Sequence, residues 1–313
     1  MTINHSDWLR SLSKDERQQL TAKSDAAGLL HLAVHAGFIV LTGIAIHLIV
    51  ASTGFTVWLL PVMMAHGILL VFLFTLQHET THYTPFKTRD LNTLVGTVCG
   101  FILFLPPVWF RYFHLAHHRY TQDPLKDPEL ASPKPKTTYQ YLAYLSGIPV
   151  WKSHIGTLIR NAIHECDDGF VPANKRRLVR IEALALSGLY LFVAVVSLWF
   201  GTTVMLTLWL LPLLLGQPFL RAYLLAEHAK CPEVDNRFEN TRTLSTNPLV
   251  RRLAWNMPYH TEHHVYPAIP FFRLPEAHAL ARQHLQQLVP GYRSFHRQFY
   301  QQIQTRQGHE QRR

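Results

Sequence analysis

The sequence predicts an all-α integral membrane protein: four transmembrane helices, a re-entrant or interfacial segment, and a cytoplasmic helical cap that carries clusters of histidine. Three observations lead to this prediction. Of the 313 residues, 48% are hydrophobic and 16% are charged, which is less charge than a soluble protein usually has. Four stretches are apolar over the roughly 20 residues that a membrane-crossing helix needs. Eight of the 20 histidines lie in three short windows.

The four apolar stretches are flanked unequally by basic residues. Lys and Arg are absent from the connectors within the first pair and within the second pair, but they precede the first and third stretches. Because loops rich in Lys and Arg stay in the cytoplasm, both termini and the long middle segment are predicted to be cytoplasmic. The predicted spans are residues 27–51, 56–77, 181–200 and 202–220.

A fifth apolar segment, residues 91–110, is long enough to cross the membrane. A single crossing would place the histidines before and after it on opposite sides. We therefore predict that it dips in and returns, or lies in the interface, with bends at Gly96, Gly100 or Pro106-Pro107. The alternative is a plain fifth transmembrane helix, and under that alternative no shared metal site can form.

The rest of the chain is interpreted as part of one domain, residues 1–313. Residues 1–26 are predicted to be a cytoplasmic N-terminal segment without a cleaved signal peptide, because they lack an apolar core. Residues 290–313 are predicted to be a frayed or surface-bound tail. The net charge of +10 favours anionic lipid headgroups, and no nucleic-acid signature accompanies it.

The histidine windows have spacings that suit metal binding. Residues at i, i+3 and i+4 share one face of a helix, so each cluster is expected to aim its imidazoles at a common point. Imidazole binds iron, zinc, copper and nickel, and eight such ligands exceed the four that one tetrahedral zinc accepts. Two metal ions are therefore predicted. The windows are HETTH (His78, His82), HLAHH (His114, His117, His118) and HTEHH (His260, His263, His264).

The first window also matches HExxH, the zinc metalloprotease signature. An intramembrane zinc hydrolase would use His78 and His82 as ligands and Glu79 as the general base. It would leave both HxxHH windows without a role. A site rich in imidazole at the mouth of a membrane bundle is better suited to O2 chemistry on an apolar molecule dissolved in the bilayer.

Over about residues 71–275 the chain resembles the membrane fatty acid desaturase superfamily, the histidine-box di-iron proteins. The three windows carry the resemblance, with RYTQDP after the second and NMPY before and VYP after the third. The resemblance implies two iron ions, O2 as co-substrate and a double bond made in an acyl lipid. It also implies a further ligand, His228 in AEHAKC. The implied ligands are His78, His82, His114, His117, His118, His228, His260, His263 and His264.

The same resemblance implies an external electron donor of the ferredoxin or cytochrome b5 type. It leaves open a hydroxylase or ketolase acting on a lipid or a carotenoid. Glu79 is expected to orient a ligand imidazole. Asn256 is expected either to make a polar or water-mediated contact beside the metals or to be a turn residue before Pro258. Asp123 and Asp127 are expected to hold loops or to hydrogen-bond the ligands.

Overall fold

The computed structural model describes residues 3–310, which are mostly helical with almost no strand. Two short strands, β1 (Thr243–Leu244) and β2 (Leu288–Val289), pair in parallel. A π-helical turn, Leu206–Leu210, leads into α11. The helices are α1 (His5–Ser11), α2 (Lys14–Leu20), α3 (Asp25–Thr53), α4 (Leu59–Val71), α5 (Leu73–Thr81), α6 (Arg89–Leu103), α7 (Pro107–Tyr120), α8 (Thr138–Leu145), α9 (Ile148–Ile163), α10 (Arg176–Trp199), α11 (Leu211–His228), α12 (Arg237–Asn240), α13 (Pro248–Leu253), α14 (His260–Val265), α15 (Leu274–Ala281) and α16 (Gly291–Glu310).

Four helical units among the described residues are long and apolar enough to span a membrane, which confirms the predicted all-α membrane fold. They are α3, the consecutive α4 and α5, α10, and α11 with its π-helical turn. The fourth differs from its prediction at one end, because α11 continues beyond Leu220 to His228. Arg221 and Glu227 interrupt the apolar sequence beyond Leu220, yet both side chains are buried against protein.

The fifth apolar segment forms α6 and α7, which meet at an angle of 99°. The break follows Leu103: Phe104 has a left-handed φ of 57°, and Pro106 and Pro107 come directly after. Of the three candidate places for a bend, the break therefore lies at Pro106-Pro107, and α6 continues through Gly96 and Gly100. The return of this pair to its starting face of the membrane stays a prediction.

The two buried glycines of α6 have a packing role instead. A Cβ at Gly96 would lie 2.6 Å from Thr80 Oγ1, and one at Gly100 would lie 2.6 Å from the Leu105 carbonyl oxygen. Real Cβ atoms do not approach other atoms so closely, so Gly96 lets α6 lie directly on α5, and Gly100 lets the turn after α6 fold back against it. This contact positions the end of α5, where the first histidine window lies.

A buried core joins the N-terminal helices, the C-terminal region and the spans. Trp8 and Leu20 of the N-terminal helices pack in the same hydrophobic cluster as Trp255 and Phe271 of the C-terminal region. Trp255 also donates a hydrogen bond from Nε1 to Nδ1 of His35 on α3, over 3.2 Å. The first span therefore holds the loop that precedes the third histidine window.

The C-terminal end differs from its prediction. Residues expected to fray form α16, whose Phe295, Phe299 and Ile303 are buried against Leu225 and neighbouring residues of α11. The three apolar side chains recur every four residues and so line one face of the helix. The expectation of a frayed tail is thus wrong for residues 291–307, and α16 supports the helix that ends at His228.

Candidate metal centre

Five histidines from three helices form the first ligand group. His78 lies on the last turns of α5, and His82 is its C-terminal cap residue. Two members come from α7 and one from α14. One ring nitrogen from each lies within 4.8 Å of the others, and this group could hold a metal ion. Its members are His78, His82, His114, His118 and His263.

A second ligand group lies beside the first. It contains His117 from α7, His228 from the end of α11 and His264 from α14, again within 4.8 Å of one another. His260 joins it, because its Nε2 lies 3.0 Å from Nε2 of His228. The structure therefore brings all nine predicted histidines into two neighbouring groups. His118 and His264 connect the groups, with stacked rings 4.0 Å apart.

Each HxxHH triplet is divided between the two groups. His114 and His118 enter the first group while His117 enters the second; on α14, His263 enters the first group while His260 and His264 belong to the second. Helical geometry explains the division, because i and i+4 are about 40° apart on a helix and i+3 and i+4 about 100°. The expectation of one common point for each cluster is therefore wrong.

The ring nitrogens fit bound metal ions. Nε2 of His114 lies 2.9 Å from Nε2 of His82, and Nε2 of His117 lies 3.2 Å from Nε2 of His228. Two nitrogens bound to one ion at about 2.1 Å would be roughly 3 Å apart. Both ring nitrogens of His78, His118 and His263 are buried without a protein hydrogen-bond partner. Buried polar atoms without partners are costly, and a metal ion would satisfy them.

Buried carboxylates face the outer nitrogens of several histidines. Asp127 Oδ1 lies 2.9 Å from Nδ1 of His117 and accepts a hydrogen bond from it. Glu79 Oε1 lies 3.6 Å from Nδ1 of His263. Such carboxylates fix the ring orientation and increase the basicity of a ligand imidazole.

Glu227 is a third carboxylate that faces a histidine ring, and it was not predicted from the sequence. Its Oε1 lies 3.5 Å from Nδ1 of His260. The available signal was its position, since a glutamate directly before a predicted ligand in a membrane span is rarely without a function. Glu79 is held in turn by the Thr84 hydroxyl and the Phe271 backbone amide, which both donate to Oε2.

Two residues expected beside the metals lie elsewhere. Asp123 accepts a hydrogen bond from the Leu125 amide and pairs with Lys126 at the surface. Asn256 has a positive φ of 56° and donates from its side chain to the Phe271 carbonyl. Neither side chain contacts a histidine of the two groups directly among residues 3–310. Both residues shape turns, which is one of the two roles expected of each, and Asp127 is the aspartate that contacts His117.

The electrostatics of α14 favour neutral imidazoles. Burial lowers the pKa of His260, His263 and His264 well below the usual value, and neighbouring histidines lower each pKa further. Neutral imidazole is the form that binds metal. Near His117, burial alone would raise the pKa of Glu129, but contacts with Lys134 and His117 lower it well below its usual range.

The described residues thus define a helical membrane protein with a buried multi-histidine site that could bind metal. The chain belongs to the fatty acid desaturase family, since residues 53–296 match the family model described as "Fatty acid desaturase". Its relatives are desaturases, so the chain is an oxidoreductase by family.

Three curated relatives cover most of the chain at low identity. Sphingolipid delta(4)-desaturase DES1 of Drosophila melanogaster is 24% identical over 85% of this chain and 78% of its own length. An sn-1 oleoyl-lipid 12-desaturase of Picosynechococcus is 25% identical, over 72% and 69%. Dihydrorhizobitoxine desaturase of Bradyrhizobium elkanii is 29% identical, over 70% and 64%.

Proposed function

We propose that this protein is a di-iron desaturase that uses O2 to introduce a double bond into an acyl chain within the membrane. The observation that carries the proposal is the pair of adjacent groups of imidazoles, in which both ring nitrogens of His78, His118 and His263 are buried without a protein hydrogen-bond partner. Two iron ions bound there would supply the activation of O2 and the removal of two hydrogens. The desaturases among the relatives support the same reaction.

The protein residues hold and orient this centre. The nine histidines would be the ligands, five for one ion and four for the other. Asp127, Glu79 and Glu227 would fix the rings of His117, His263 and His260. Eight of the nine histidines are buried and His82 is partly buried, which keeps water away from the reacting carbon and protects a reactive oxidant from side reactions.

We propose a lipid substrate, because it can reach the site from the bilayer. Two relatives are named for lipids, a sphingolipid and an oleoyl lipid. A cavity of about 510 Å³ lies between the first, second and fourth spans and α6. Its lining is mostly apolar and includes Ile44, Leu70, Phe101 and Trp209. A hydrocarbon chain would fit such a lining.

The position of Glu79 favours this proposal over a zinc hydrolase. A general base has to reach the water that it activates. Glu79 Oε2 instead accepts two hydrogen bonds from the protein, and Oε1 faces His263. The carboxylate thus acts on a ligand ring, and HExxH alone leaves seven of the nine histidines without a role.

We also propose a membrane topology and a source of electrons. Residues 1–313 would act as one domain, with both termini and the metal centre on the cytoplasmic face. Electrons would come from a separate ferredoxin or a carrier of the cytochrome b5 type. The net charge of +10 would favour docking of an acidic carrier by electrostatic complementarity.

Metal analysis tests the proposed cofactor. The full chain is produced in medium supplemented with iron and depleted of zinc, and its metals are quantified by mass spectrometry. We expect two irons per chain, because the histidines form two groups. One zinc without iron under these conditions would contradict the proposal and favour the hydrolase. The exposed-histidine variant His164→Ala should keep both irons.

A further inference from the structure

Below the metal centre, α11 carries a stripe of polar side chains. Gln217, Arg221 and His228 are four and seven residues apart, so they lie on one face of the helix. His228 belongs to the second ligand group. At 1.5 Å per residue, Arg221 lies about 10 Å along the helix axis from His228. The stripe thus extends from the metal centre towards the membrane.

Arg221 is buried without an ion-pair partner. Its side chain keeps only 7% of its accessible surface. Its guanidinium makes no hydrogen bond to residues 3–310 and has no carboxylate oxygen within 4.0 Å. An unpaired buried charge strongly destabilises the folded state, so buried arginines normally have an anionic partner. The arginine therefore needs a partner that the described protein residues do not provide.

The nearby carboxylates are committed to other groups. Glu129 forms a salt bridge with Lys134 and also approaches Nε2 of His117 at 3.4 Å. Glu227 faces Nδ1 of His260 at 3.5 Å. Both influence Arg221 only at longer range. The charge of Arg221 is therefore not neutralised by direct contact with either one.

Other unpartnered polar atoms lie in the same region as Arg221. Gln217 is 3% exposed, and its Oε1 has no hydrogen-bond partner. Gly147, between α8 and α9, lies directly against Gln217, since a Cβ there would be 2.6 Å from the Cβ of Gln217. His154 on α9 interacts electrostatically with Arg221, and its Nδ1 is buried without a partner. These groups lie where α11 faces the junction of α8 and α9.

We propose that Arg221, with Gln217 and His154, binds the anionic group of the substrate, a carboxylate or a phosphate. This inference rests on the proposed function and specifies its substrate class. A guanidinium holds either group through two parallel hydrogen bonds, and the amide of Gln217 and the ring of His154 can each add a donor. The anionic end would be held about 10 Å from the metals, measured along α11, so the position of the double bond would be set from that end.

Equilibrium binding to the detergent-solubilised full chain tests the proposal. The probes are oleate against methyl oleate, and dioleoylphosphatidate against dioleoylglycerol. Each pair shares its hydrocarbon and differs in the anion. We expect the anionic member of at least one pair to bind about 10-fold to 100-fold more tightly, as charged hydrogen bonds allow. Preference for oleate identifies a carboxylate, and preference for phosphatidate identifies a phosphate headgroup.

Three variants assign the preference to Arg221. Arg221→Gln should abolish it, Arg221→Lys should retain part of it, and the exposed-residue control Arg177→Gln should leave it unchanged. Equal affinity within both pairs for the wild-type chain would overturn the proposal, and this comparison requires no variant. An unchanged preference in a folded Arg221→Gln protein would also overturn it.

The outcomes separate this proposal from the proposed function. A wild-type chain that holds two irons and desaturates lipids, yet shows no anion preference, would overturn the anion site alone. A chain that binds no iron but prefers anions would overturn the di-iron desaturase and leave the anion site supported.

Discussion

Replacing His263 by alanine is expected to reduce desaturation more than about 100-fold. Loss of a residue that only supports a metal ligand costs up to about 100-fold, and loss of a ligand itself should cost more. His263 is fully buried, and neither of its ring nitrogens has a hydrogen-bond partner in the protein. It is also the only member of the first group that comes from α14 among the described residues. Its loss would remove one ligand and leave the Glu79 carboxylate without the ring it faces.

The test compares iron content and unsaturated lipid in membranes that contain equal amounts of protein. His263→Ala should still be inserted, because the four spans do not include α14. The control is His164→Ala, which changes the exposed C-cap residue of α9. This variant should retain wild-type iron content and wild-type unsaturated lipid. Wild-type turnover by His263→Ala would exclude this residue from the metal centre.

Replacing Asp127 by asparagine is expected to lower iron affinity or turnover by about 10-fold to 100-fold. Asp127 is 5% exposed, and its Oδ1 accepts a hydrogen bond from Nδ1 of His117. Its Oδ2 accepts from the Gln122 amide over 2.9 Å. An asparagine could accept at only one of these positions, and its NH2 group would oppose a donor at the other.

Asp123 provides the matched control for this prediction. It lies in the same loop but at the surface, where it contacts Leu125 and Lys126. Asp123→Asn should therefore keep wild-type iron content and turnover, which are measured alongside those of Asp127→Asn. Equal losses in the two variants would show that the loop, and not the contact with His117, determines the effect.

The membrane fold could be predicted from the sequence because apolar length is a local property. The four spans follow directly from it. The end of α11 could not be predicted in the same way, since Arg221 and Glu227 look like loop residues until their burial is known. The helix α16 carried a readable signal in Phe295, Phe299 and Ile303, but its many Gln and Arg residues suggested a solvated tail.

The candidate site was predictable in its histidines and less so in its supporting residues. Spacing on a helix identifies HLAHH and HTEHH as clusters and separates the i+3 histidine of each from the other two, but which ligand group each histidine joins depends on which helices lie opposite. Asp127 reaches His117 through the turn that follows α7, and nothing in the sequence favours it over Asp123. Tertiary packing determines which carboxylate pairs with which histidine.

Product analysis with a deuterated acyl chain tests the central claim most directly. The chain and a reductase system are expressed in a host that lacks its own desaturases and is fed fully deuterated stearate, with and without O2. We predict an O2-dependent product that has lost two deuterium atoms and gained no oxygen. An oxygenated product would contradict desaturation, and so would the absence of any product in cells whose purified protein carries two irons.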